Sequence, residues 1–446
     1  MAANLLSDQD VIGQLPPWLQ HWLELERFHL HRADRYQDRS RDPGFEVRYL
    51  PQHAAAFRLP CFWVPRRSLQ VYGRQTAAGE LDFFAGSGAD ERVLIPIHPS
   101  AIDHYRTFLA DAGAEDAAKR GQCIWALPTS STRTLLVWQD QAPQTAVFVK
   151  TSLHSPLFGD RRLLAKSVGR SVGLSGLVQG EREELPDALS CLREPVGFAP
   201  RSSPELGGAV IRSIPPHIKQ GHIRVAPLFS LLGGDGDRVP LLLTLLERSG
   251  MQPLQWLEQV LCAPFARLWA ELSLGRGLIL EAHGQDLLLQ LTPDLAAVRG
   301  FLYRDFEGLQ VDWELRRQRG WPTPANMPHD WSWRETYDSW NYPLSDLVWY
   351  KWWISLFNYL RLVLFEVETS LREWHDGGLV RGPKCGEGEL TMLFSRHLFA
   401  AIERQFNQSP GAPYDVLGSL NRFLIQLKQL RRASMQGPPG GAIDRG

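Results

Sequence analysis

Three β-rich runs follow one another at residues 123–127, 134–138 and 145–153, with only turn-forming or polar segments between them. A parallel pairing needs a crossover of roughly a dozen residues or more, and these gaps are too short for one. The runs are therefore expected to form an antiparallel sheet. The texture changes after a stretch holding Gly207–Gly208, Pro215–Pro216 and Gly233–Gly234. From Pro240 onward apolar residues recur at helical spacing over 241–246, 254–262, 265–274, 344–367, 390–406 and 414–430. One hairpin is expected to interrupt the helices, with strands at 278–291 and 297–306 around a turn at 292–294. Before residue 120 the patterns are mixed, with a helix expected at 18–28 and strands with turns at 57–71. Segregated β-rich and helical stretches predict an α+β fold. The Gly/Pro-rich tail at 437–446 is expected to fray.

Composition excludes several function classes. With 446 residues and 44% hydrophobic, the chain can bury a sizeable core. Lys and Arg number 48 against 49 Asp and Glu, so no global charge favours a nucleic-acid or acidic-membrane partner. The most apolar long window, 344–367, is interrupted by Asp346, Lys351, Asn358, Arg361 and Glu366. It reads as a buried amphipathic helix, not a membrane span. No basic segment followed by an apolar stretch opens the sequence, so a signal peptide is not expected. Cys61, Cys123, Cys191, Cys262 and Cys385 are odd in number and far apart. That argues against structural zinc, an iron–sulfur cluster or a disulfide framework, and favours a cytoplasmic setting. There is no P-loop, no GxGxxG after a strand, no HExxH and no GxSxG. Tryptophan is abundant, 16 residues, and many fall between 313 and 374. Most are expected in the helical core, while the loop 321–340 is a candidate lid or acceptor wall.

Three segments carry chemistry. In the first, Ser130-Ser131-Thr132-Arg133-Thr134 sits between two β-rich runs. Its hydroxyls and N–H groups can surround an anion and its guanidinium can grip one, or it is a solvated Ser/Thr turn. In the second, Lys150 ends a β-rich run and is followed by Arg161 and Arg162. Lys150 can neutralise a phosphate, or it is an edge-strand lysine that discourages aggregation. The third is Glu281-Ala282-His283-Gly284-Gln285-Asp286. On a continuous strand Glu281, His283 and Gln285 share one face. Asp305, in the next strand, then falls opposite about position 283. Two facing carboxylates want a cation, and Mg²⁺ takes carboxylate oxygens together with phosphates. A buried polar network is the alternative.

Taken in order, these segments resemble those of the siderophore synthetases that act independently of nonribosomal peptide synthetases, the aerobactin-synthetase (IucA/IucC) family. The matching residues are Ser130-Ser131-Thr132-Arg133-Thr134, Val149-Lys150 with Arg161, Glu281 to Asp286, and Arg304-Asp305-Phe306-Glu307-Gly308. Ile95-Pro96-Ile97-His98-Pro99 and Ala209-Val210-Ile211-Arg212 resemble two weaker family segments. The resemblance implies a cupped hand: a reduced thumb over 1–120, β-rich ATP-binding fingers over 121–235 and a mainly helical palm over 236–446. It implies an ATP- and Mg²⁺-dependent ligase that adenylates a citrate-like carboxylic acid. An amine or hydroxyl then attacks to give an amide or ester in siderophore biosynthesis, and the enzyme is a homodimer. Ser130, Ser131, Thr132 and Arg133 would bind the triphosphate, with Lys150 stabilising charge at the α-phosphate. Glu281 and Asp305 would hold Mg²⁺. His283, Gln285 and Asp286 would line the nucleotide or acyl site, with Lys150, His283 and Arg133 catalytic. Arg161, with Arg162 as its alternative, and His283 would bind the acid. Asp286 replaces the family's Asn, Ser100 replaces a Trp, and the family's N-terminal Gly-His-Pro segment has no counterpart before His98. A non-catalytic family member acting as a binding partner, or a ligase making another metabolite, are the alternatives.

Overall fold

The computed structural model describes residues 12–13, 15–27, 46, 49–50, 56–73, 84, 91–140, 142–157, 160–164, 167–233, 239–322, 355–356 and 360–408. The expectations for 323–340, for 344–354, for the helix at 414–430 and for the tail lie outside those residues. The chain divides into two compact units. One comprises Met1–Gly250 with Gly284–Gly308, the other Met251–His283 with Leu309–Gly446.

In the first unit the β-rich runs become the middle of a seven-stranded antiparallel sheet. Its order is Phe57–Arg58, Ile124–Pro128, Thr134–Gln139, Ala142–Thr151, Ala209–Arg212, Val196–Pro200, Leu69–Gly73. Both faces are covered, which is why these strands read as continuous apolar runs and not as alternations. On one face Ala126, Leu135, Val137, Val147 and Val149 pack with Trp63, Ile95 and Phe108. On the other, Leu127, Leu136, Ala146 and Phe148 meet Leu19, Trp22 and Leu23 of the helix Pro17–Arg27. Leu288 and Leu302 of a four-stranded sheet join this second cluster. The α+β reading is borne out, with one helix, Ser167–Gly180, inside the stretch that reads as β-rich.

The hairpin forms with a different outline. Leu287–Leu291 pairs antiparallel with Val298–Tyr303, Leu287 opposite Tyr303. Gly300, at φ +154, lets the Ala188 carbonyl approach so closely that any Cβ would meet it at 2.3 Å. Leu278–Ile279 is a separate short strand, paired with Gln310–Val311 in the second unit. The continuous strand expected over 278–291 is thus overturned. The backbone between its two pieces has other partners: the Ser355 hydroxyl donates to the Leu280 carbonyl, and the Phe229 N–H to that of Gly284. The face-sharing expected of Glu281, His283 and Gln285 falls with it.

The second unit is largely helical among its described residues, with Ala263–Ala270, Arg361–Asp376 and Glu389–Gln408 its main α-helices. The buried Glu368 carboxylate accepts from the N–H groups of Gly388 (2.6 Å) and Leu390 (3.1 Å), capping the last of these. Among the described residues no helix is long and apolar enough to cross a membrane.

Candidate active site

Lys150 lies on the fourth of the seven strands, opposite Thr134 on one neighbour and Val210 on the other. It is not an edge-strand lysine, and at 1% exposure it is one of the most buried side chains of the unit. An ammonium there is tenable only with partners. Its Nζ donates to Asp305 Oδ1 (2.5 Å) and Oδ2 (2.7 Å) and to Glu307 Oε2 (2.7 Å). Arg212, two residues on from Val210 and so on the same face, is also buried. Its Nε donates to Glu194 Oε1 (2.6 Å), and its Nη2 lies 3.3 Å from Asp305 Oδ1. Arg133 reaches the same cluster, with Nη2 3.4 Å from Glu307 Oε2. Three cations face three carboxylates: Lys150, Arg212 and Arg133 against Asp305, Glu307 and Glu194.

Charge sets the titration of these acids. Burial alone would push the Asp305 carboxyl up, but the Lys150, Arg212 and Arg133 charges outweigh it and hold it far below the usual range. Glu307 is held low in the same way by Lys150 and Arg133 against burial. At Glu194 burial wins over Arg212, and its carboxyl lies above the ordinary value.

Local backbone strain marks the same place. Three non-glycine residues have positive φ among those described, and two of them, Thr132 (+62) and Asp305 (+74), belong to the motifs. The 128–134 segment is a tight turn. Thr129 Oγ1 donates to the Thr134 carbonyl (2.8 Å), and the Thr134 N–H to Ser131 Oγ (3.0 Å). The Thr151 N–H and hydroxyl both donate to the Arg133 carbonyl (2.9 and 3.0 Å), tying turn to lysine strand. Ser130 is wholly buried; its hydroxyl donates to Glu26 Oε2 (2.7 Å) and accepts from Gln285 Nε2 (2.9 Å). Glu26 in turn pairs with Arg304. Two of the hydroxyls expected at a triphosphate, those of Ser130 and Ser131, thus build the turn and its anchorage.

Among the residues expected from sequence, the structure brings together Arg133, Lys150 and Asp305 in one cluster, and Ser130 with Gln285 in another. Asp286 is half-buried, 4.0 Å from Arg304 Nε. Arg162 is exposed, and its carbonyl accepts from Arg133 Nη1 (3.2 Å). Arg161 stands opposite Pro156 in the strand Asp160–Arg162, its side chain outside those described. Glu281 and His283 are half-buried members of the second unit, whereas Asp305 belongs to the first. Sequence reasoning missed Glu26 and Glu194 and attached no role to Arg212, Arg304 and Glu307. The last three stood inside quoted motifs; a charged residue in an apolar strand, as at Arg212, was the available signal.

Comparison with known proteins now adds a decisive observation. Residues 42–233 match the model of the IucA / IucC family. The family resemblance read from the sequence is borne out. The rhizobactin siderophore biosynthesis protein RhbF of Rhizobium meliloti (strain 1021) is 30% identical over 272 residues, which are 55% of this chain and 43% of that protein. The chain thus spans less than half the length of this curated relative. The aerobactin synthetase IucC of Klebsiella pneumoniae superposes with a TM-score of 0.61 at 16% identity, over 90% of this chain and 73% of that one. The petrobactin biosynthesis protein AsbB of Bacillus anthracis gives 0.61 at 17%, over 87% and 68%. The ATP-bound aerobactin synthetase IucA of Klebsiella pneumoniae gives 0.53 at 19%, over 86% and 74%. The fold is that of these IucA/IucC synthetases. The family match holds Arg133, Lys150 and Arg212, while Asp305 and Glu307 come from beyond it.

Proposed function

We propose that this chain is an ATP-dependent ligase that adenylates a citrate-like carboxylic acid and passes the acyl group to an amine or hydroxyl in siderophore biosynthesis. The observation that carries this reading is Lys150. A buried ammonium on a central strand, flanked by Arg133 and Arg212, suits a site where negative charge is received. In the first step a carboxylate oxygen attacks the α-phosphorus and pyrophosphate leaves with its bonding electrons. In the second, the nucleophile attacks the acyl carbon, loses a proton, and AMP leaves. Lys150 and Arg133 would stabilise charge on the phosphates as the first bond breaks, work that calls for positioning and not for a covalent side chain. Gln285 would line the nucleotide or acyl site, and Arg161 or Arg162 would receive the acid.

The donor set suits Mg²⁺ in one respect. Among the described residues no group of three or more His, Cys, Asp and Glu side chains could hold a metal ion. Mg²⁺ needs only one or two carboxylates when phosphates and waters complete its shell. Asp305, with Glu307 of the same unit, would hold it; the ion would neutralise phosphate charge. The cysteine usage favours a cytoplasmic setting, and family likeness favours a homodimer.

The test is pyrophosphate release with ATP, Mg²⁺ and a panel of di- and tricarboxylic acids. Release with at least one acid is expected. No release with any acid, together with no ATP binding by calorimetry, would overturn the ligase reading and leave a binding role.

A further inference from the structure

A fully buried carboxylate costs several kcal/mol unless it is paired and hydrogen-bonded on all sides. Glu26 has 0% exposure, and its oxygens are saturated. Oε1 accepts from Trp22 Nε1 (3.0 Å) and from Arg304 Nη1. Oε2 accepts from Ser130 Oγ (2.7 Å) and from Arg304 Nη2 (3.1 Å). Two of these partners lead to one further residue. Ser130 Oγ accepts from Gln285 Nε2 (2.9 Å), and Arg304 Nε donates to the Gln285 carbonyl (2.9 Å). The ring Glu26–Ser130–Gln285–Arg304 is closed.

The ring has a direction. A serine hydroxyl has one proton, and here it goes to the carboxylate. Only lone pairs of Ser130 then face Gln285, so the glutamine must turn its NH₂ inward and its Oε1 the other way. Arg304 fixes the backbone of the same residue. Gln285 itself is half-buried, between this network and the surface. We infer that Glu26, outside every motif and ahead of the matched family segment, is a positioning residue that sets the orientation of the Gln285 amide in the candidate site. Its kinetic consequence rests on the ligase reading; its structural consequence does not.

The first arm of the test needs no turnover. With ¹⁵N-labelled glutamine side chains, and the Gln285 signal assigned by its loss in Gln285→Ala, amide-proton exchange is measured by NMR. Exchange at Gln285 is expected to quicken about tenfold in Glu26→Gln and in Ser130→Ala, the worth of one hydrogen bond. Ser130→Ala leaves no buried charge unpaired, so it reports even where Glu26→Gln fails to fold. Trp22→Phe, which spares both arms of the ring, should leave the Gln285 signal as it is. Unchanged exchange in Ser130→Ala would overturn the inference whatever the chain catalyses. The second arm is kinetic. Glu26→Gln should raise KM for ATP about tenfold with kcat within about threefold, and this effect should vanish in a Gln285→Ala background. Equal effects in both backgrounds would show that Glu26 acts on folding alone and would also overturn it.

Discussion

Arg304 and Asp305 are neighbours in the chain, yet they serve two networks of opposite character. Arg304 turns into the closed ring with Glu26, where both side chains are at most 4% exposed. Asp305, at φ +74, turns into the cluster with Lys150 and Arg212, and keeps 23% of its side chain exposed. Glu307, beside it, keeps 32%. In the ring both oxygens of the Glu26 carboxylate are filled, with Trp22 adding one donor from outside it. The cluster ends in carboxylates that are only partly covered, and under the proposed function a ligand would exchange partners with Lys150 there. Burial with complete pairing suits the positioning role proposed for Glu26; burial of one end only suits the ligand site proposed around Lys150.

The sharpest way to break this contrast is to cut each network at its cation. Lys150→Met should lower pyrophosphate release by at least about 100-fold, the scale of losing one preorganised charge in a site. Its urea midpoint should fall far less than that of Arg304→Met. If Lys150→Met simply unfolds the chain, the cluster is as structural as the ring. Arg304→Met leaves the Glu26 carboxylate buried and unpaired, at a cost of about 3–5 kcal/mol in urea unfolding. Removing both charges in Glu26→Gln/Arg304→Met should recover at least about half of that.

A pH series sharpens the comparison further. Asp305 is held below its unfolded value, so its contribution to stability is complete above about pH 4 and fades as pH falls through the native value. Glu194 is raised, so its ionised form costs stability and acid relieves that cost. Asp305→Asn should therefore flatten the loss of urea stability between about pH 6 and pH 3, while Glu194→Gln should steepen it. The same slope in both variants would mean that the two acids do not titrate as the cluster's geometry requires. The smallest effect is expected at Asp286, half-buried and 4.0 Å from Arg304 Nε. Asp286→Asn should leave pyrophosphate release within about twofold or raise it; complete loss would make that carboxylate a ligand.

Much of this was legible in the residues. The short gaps at 128–133 and 139–144 forced antiparallel pairing, and the hairpin after residue 286 followed from its apolar strands and turn. The convergence of Arg133, Lys150 and Asp305 was legible as motif order, although Asp305 was assigned to magnesium with Glu281 and not to Lys150. The continuous strand over 278–291 was the clearest miss. An apolar–polar alternation describes side chains only, and here the backbone crosses between two compact units and bonds elsewhere.

Local pattern thus determined the strand-rich and helical halves, the antiparallel order, and which charged residues were out of place in apolar runs. Those properties depend on neighbours a few residues apart. Which partner each charge takes was decided by the tertiary structure alone. Glu26 and Arg304 are separated by 278 positions and Lys150 and Asp305 by 155, and no local spacing encodes such pairs. They form because a charge carried into an apolar interior by its strand or helix must find a counter-charge there or not be buried at all.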